Sequence, residues 1–144
     1  MKRNGELRKV LVIDDDDDLA DVVRQVLRDA GYSVATVRHG AAALELTKHV
    51  APDLILVDLS MPIMDGWSFV QQYRRVAGVP ARVVVMSAAG DLAHIASQLG
   101  ADGHLKKPFD LNQLHALVAA ELAKRPSARN ELDRTDRSSS APLT

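Results

Sequence analysis

The sequence predicts a doubly wound α/β fold, with five parallel strands in one sheet and helices on both faces, three layers in all. Two observations predict it. Short apolar runs alternate with stretches of helical spacing from Lys9 to about Lys124. The apolar runs also lack polar alternation, as expected of strands covered on both faces. One helix between successive strands implies right-handed crossovers, and these make the sheet parallel.

Val10-Leu11-Val12-Ile13 is the first strand, and it stops at a run of aspartates. Leu19, Val22, Val23, Val26, Leu27 and Ala30 recur at helical spacing, and Gly31 follows where a helix ends. Residues 32–37 read as a second strand, more polar and so nearer an edge, and 41–49 as a second helix closed by Pro52. Leu54-Ile55-Leu56-Val57 is a third strand ending at Asp58, followed by a turn through Met61-Pro62 and Asp65-Gly66. Trp67, Phe69, Val70 and Tyr73 mark the third helix. Val83-Val84-Val85-Met86 is the fourth strand, ending at Ser87, with a helix over 92–99. A short fifth strand covers 103–107, and Leu111, Leu114, Leu117, Val118 and Leu122 give a last amphipathic helix. The domain is expected over 7–124. Beyond it the composition turns to Pro, Ser, Arg, Asp and Thr, so 125–144 reads as a disordered tail.

Composition removes several function classes. A hydrophobic share of 47% and a charged share of 26% are ordinary for a soluble globular chain. Eighteen Lys plus Arg against nineteen Asp plus Glu leave a net charge of -1, which gives no electrostatic reason to expect nucleic acid or an anionic membrane. No cysteine is present, so disulfides, thiolate metal sites and thiol nucleophiles are excluded. The apolar run after the basic start is too short for a signal-peptide core or a membrane span, and the cytoplasm is the expected location.

Ligands of an open parallel α/β sheet bind beyond the C-terminal strand ends. Asp14 and Asp15 follow the first strand, Asp58 the third, Ser87 the fourth and Lys107-Pro108 the fifth. Three carboxylates, a hydroxyl and an amine therefore converge on one edge. Carboxylates crowded together resist simultaneous ionisation, so a cation is implied. Oxygen donors suit a hard ion, Mg²⁺ or Mn²⁺. Asp16, Asp17 and Asp18 are read instead as a helix start, capping free N–H groups and complementing the dipole. Asp53 and Asp65 read as turn residues, and His39, His49, His94 and His115 as surface residues without metal-ligand spacing.

Four segments carry a resemblance: 10–15, 52–66, 85–88 and 100–109, that is VLVIDD, PDLILVDLSMPIMDG, VMSA and GADGHLKKPF. In this order they resemble the signature segments of response-regulator receiver domains of two-component signalling, the chemotaxis-regulator type with a flavodoxin-like (βα)5 fold. The resemblance implies that Asp58 is the phosphorylated carboxylate. Asp15 is then a direct metal ligand, Asp14 acts through the metal or its water, and the Ser60 backbone carbonyl is a further ligand. Ser87 contacts a phosphoryl oxygen, Lys107 pairs with another, and the bond before Pro108 is cis. Strand alternation sends Lys106 and Lys107 to opposite faces, and adjacency to Pro108 favours Lys107 for the site.

A sensor histidine kinase or phosphotransfer protein is the implied donor. The implied output face is that of the fourth helix, fifth strand and fifth helix, which also serves homodimers, with no nucleic acid or membrane bound directly. The chain would catalyse only its own phosphorylation and dephosphorylation. Two departures stand out. His104 replaces the usual Tyr or Phe switch ring, and is either a neutral filler or a group that charges near neutral pH. Ala89, beside the site with Ser60, cannot position a water by a side chain, so no strong self-hydrolysis is expected. The runner-up is a haloacid-dehalogenase-type phosphatase using Asp14-Asp15-Asp16 as Asp-x-Asp, which leaves Asp58 unexplained. A third reading is a receiver-like module that only binds partners.

Overall fold

A computed structural model describes residues 2–3, 5–61, 65–76 and 80–124. The tail expected to be disordered, 125–144, and the Pro62 turn lie outside the described residues. A hairpin of β1 (Lys2–Arg3) and β2 (Glu6–Leu7) precedes the main domain. There follow β3 (Lys9–Ile13), α1 (Asp17–Asp29), β4 (Ser33–Val37), α2 (Gly40–Thr47), β5 (Leu54–Asp58) and α3 (Gly66–Val76). The chain continues through β6 (Arg82–Ser87), α4 (Leu92–Leu99), β7 (Gly103–Lys106) and α5 (Leu111–Ala123). The sheet runs β4-β3-β5-β6-β7, all parallel, so the expected doubly wound fold is the observed one.

Strand alternation divides the core in two. Leu11, Ile13, Ile55, Val57, Val83 and Val85 pack on the side of α2, α3 and α4. Val10, Val12, Leu54, Leu56, Val84 and Met86 pack with Val23 and Leu27 of α1 and Leu114 and Val118 of α5. Each buried apolar side chain of this size contributes about 1.5–3 kcal/mol. Helix ends follow their capping chemistry. Asp16, Asp65 and Asp110 accept from the N–H groups of Leu19, Ser68 and Gln113. Gly31 (φ 101°) and Gly100 (φ 69°) take left-handed conformations after α1 and α4.

Two expectations need correcting, and one element was missed. His39 is half-buried rather than on the surface, and its Nδ1 accepts from the Ala42 N–H at 3.2 Å, capping α2. Asp53 is more than a turn residue. Its carboxylate accepts from the Lys9 N–H at 2.8 Å and lies 3.9 Å from Arg8, side chain 8% exposed, bracing β5 against β3. Asp53→Ala is therefore expected to cost about 1 kcal/mol in denaturant unfolding, the scale of one lost hydrogen bond at a half-buried N–H. The β1–β2 hairpin was not expected from the apolar runs, because four paired residues leave no periodicity to read. Among the described residues, no helix is long and apolar enough to cross a membrane.

Candidate functional site

β3 and β5 are central strands, and their C-terminal ends bring two carboxylates together. Asp14, 1% exposed, is fixed by its N–H to the Val37 carbonyl (3.1 Å) and accepts at Oδ1 from the Asp16 N–H (3.0 Å). Asp58, 6% exposed, accepts at Oδ1 from the Ser60 N–H (3.2 Å). Half-buried Asp15 completes a group whose ligand oxygens all lie within 4.8 Å of one another, the one such group found among the described residues. Three oxygen donors at this separation fit a small hard divalent cation.

Lys107 arrives from the far edge. Its N–H bonds the Ser87 carbonyl at 2.9 Å, and its peptide bond to Pro108 is cis. Its ammonium lies 2.7 Å from Asp14 Oδ2 and 3.6 Å from Asp58 Oδ2. Half-buried Ser87 ends β6 and accepts at Oγ from the Ala89 N–H, 3.0 Å. All the side chains expected at the site lie at this edge. The exposed Asp16 points its carboxylate at the Leu19 N–H instead, which removes the second acid of an Asp-x-Asp phosphatase loop. Lys106 is exposed, as expected. His104 is exposed too, so its ring fills no cavity.

Electrostatics follow from this packing. Burial pushes the Asp58 carboxyl above its ordinary range, with Asp14 and Asp15 adding to the rise. The Ser60 N–H and Lys107 oppose it. Burial works against the Lys107 charge, but the hydrogen bond to Asp14 and the charges of Asp14 and Asp58 outweigh it and hold its pKa above the usual value. A cleft of about 320 Å³ opens beside Lys107, lined by Asp16, Leu19, Ala88, Pro108 and Phe109. A second, largely apolar recess of about 220 Å³ lies at the opposite ends of the strands, lined by Lys9, Ser33, Leu46 and Val50 among others, far from this chemistry.

Gly66 is a site-building residue that turn chemistry alone did not single out. Its N–H bonds the Leu59 carbonyl at 3.3 Å, and a Cβ there would meet the backbone around Asp58, with Leu59 Cα at 2.8 Å. The start of α3 thus lies directly against the Asp58–Leu59 peptide, and a side chain there fits only if backbone shifts. Gly66→Ala is expected to push the Asp58–Leu59 backbone aside and shift the Asp58 carboxylate relative to Asp14 and Asp15, which calorimetry should read as weakened binding of a divalent cation. Circular dichroism should retain the helical signal.

Comparison with known proteins agrees with this geometry. A family model described as the response regulator receiver domain matches residues 10–119. MtrA of Mycolicibacterium smegmatis, a DNA-binding response regulator, is 36% identical over 119 residues, covering 81% of this chain and 51% of its own. The transcriptional regulatory protein PrrA of Mycobacterium bovis is 38% identical over 128 residues, covering 88% and 55%. The chain thus spans about half the length of these curated relatives. The chemotaxis response regulator CheY4 of Vibrio cholerae superposes with a TM-score of 0.74 at 29% identity, covering 79% of this chain and 98% of that one. A two-component response regulator from Clostridium difficile gives 0.75 at 28%, covering 83% and 99%. The chain belongs to the response regulator receiver domain family of two-component signalling.

Proposed function

We propose that Asp58 accepts a phosphoryl group from a phosphohistidine on a sensor kinase or phosphotransfer protein, in a Mg²⁺-dependent reaction in the cytoplasm. Supporting this most directly, a buried carboxylate ends a central strand with an ammonium 3.6 Å away and two further carboxylates beside it. An Asp58 oxygen attacks phosphorus and forms the O–P bond. The donor N–P bond breaks, and its electron pair returns to the imidazole, which takes up a proton. Asp14, Asp15, Asp58 and the Ser60 carbonyl would hold Mg²⁺, which supplies charge neutralisation at the phosphoryl oxygens.

Lys107 pairs with one phosphoryl oxygen and Ser87 donates its hydroxyl hydrogen to another. Desolvation of Asp58 helps, because a poorly hydrated carboxylate is the better nucleophile once the cation arrives. Ser87 then moves toward the phosphate and biases the face of α4, β7 and α5 between two states, through which a partner or a second copy is engaged. His104 stands on that face. The functional unit spans 7–124 and catalyses only its own phosphorylation and dephosphorylation. DNA binding belongs to relatives about twice its length and is not part of this reading.

Beryllofluoride with Mg²⁺, a stand-in for the acyl phosphate, tests the site by calorimetry. One equivalent binding only with Mg²⁺ present is expected. Heat of binding that persists in EDTA would count against the assigned metal ligands.

A further inference from the structure

At the pole opposite the phosphoacceptor, a second set of charges is buried. Glu121 of α5 is 3% exposed. Its Oε1 accepts from Arg82 Nε at 3.1 Å and lies 3.0 Å from Arg82 Nη2, while Oε2 accepts from Lys124 Nζ at 2.8 Å. Arg82 Nη2 also lies 3.9 Å from Asp102, whose carboxylate is 3.6 Å from Arg74 and accepts from the Val83 N–H at 2.8 Å. A Cβ on Gly103 would stand 3.2 Å from Glu121 Oε2, so β7 begins with the residue that leaves room for this carboxylate. Arg8 adds a bond to the Leu122 carbonyl at 3.2 Å.

An apolar cluster of the same volume would hold these elements at least as tightly, since desolvating an ion pair offsets much of its attraction. What the charges add is direction. The guanidinium of Arg82 adds an orientation-dependent tie between the last turn of α5 and β6, because a hydrogen-bonded ion pair tolerates less rotation than apolar contact alone. Arg74 ties the same group to the end of α3 through Asp102.

We propose that Arg74, Asp102, Arg82 and Glu121 form an anchor that sets the direction in which the chain leaves α5 at Lys124. The anchor is separate from the phosphoacceptor site, and none of its residues touches the reacting atoms. It aims whatever segment follows, so that a partner meets the receiver's output face and the exiting chain in one fixed relation.

The absence of cysteine makes a direct test available. Nitroxides at Gln71→Cys on α3 and Ala123→Cys at the end of α5, both exposed, report the direction of the exit as a distance distribution. The parent pair should give a narrow distribution. Glu121→Gln and Arg82→Met should each broaden it, and amides over 119–124 should exchange about tenfold faster, as loss of a buried charge partner implies. Val118→Ala lowers stability by removing core contacts and should leave the distribution narrow.

Phosphate acceptance should be equal in the parent pair and in Glu121→Gln, and failure of both to accept phosphate would bear on the proposed function alone. A Glu121→Gln distribution as narrow as the parent's, or equal broadening in Val118→Ala, would overturn the anchor.

Discussion

Asp58→Asn is expected to lose phosphoryl acceptance entirely while folding at least as well as the parent. The amide keeps the shape of the carboxylate but has no nucleophilic oxyanion. It also removes one of three crowded negative charges. The sign of the stability change follows from the raised Asp58 pKa. An acid whose folded pKa lies above its unfolded value contributes stability below the unfolded pKa. That contribution is lost as pH rises through the folded one. Where Asp58 is ionised and no metal is bound that contribution is gone, so Asp58→Asn should be the more stable protein there. The gap should close as pH falls toward the ordinary Asp value of 3.8. Urea titrations in EDTA across that window check this, and a gap that widened with acid would contradict the burial argument.

Lys107→Met should have the next largest effect. Its ammonium is the cation of the protein placed between Asp14 and Asp58, and removing one preorganised charge partner of the transferring group costs about 10²–10³ in rate. The same substitution leaves Asp14 buried without its 2.7 Å partner. The variant should therefore lose stability at neutral pH, by about 3 kcal/mol as for a broken buried ion pair, and regain part of it in Mg²⁺. Single-turnover labelling with acetyl phosphate separates the two effects, because the rate loss should persist under conditions where the variant is fully folded. A folded variant labelled at the parental rate would remove Lys107 from the chemistry.

The elements were legible because the apolar runs are long and unbroken. Leu54-Ile55-Leu56-Val57 has no polar residue to mislead, and strand ends point to the ligand edge by topology alone. Roles resting on long-range contact were not legible. Asp53 looks like any aspartate after a proline until Lys9, 44 residues away, offers its N–H. The helix cap by His39 was missed because histidine is an uncommon cap and its ring nitrogen acts only locally. Glu121 did leave a signal, since it falls on the apolar stripe of α5 between Val118 and Leu122, where a charge needs a buried partner. The dipeptide Asn4-Gly5, between the residues of β1 and β2 in the sequence, was likewise a hairpin signal that the apolar runs did not bring out.

The most direct test of the account is intact-mass spectrometry after incubation with acetyl phosphate, with peptide mapping of any adduct. The account predicts one phosphate-sized addition that requires Mg²⁺, disappears in EDTA and maps to Asp58. No addition would reduce the chain to a partner-binding receiver, and an addition mapping to the aspartates at 14–18 would contradict the assignment of the acceptor.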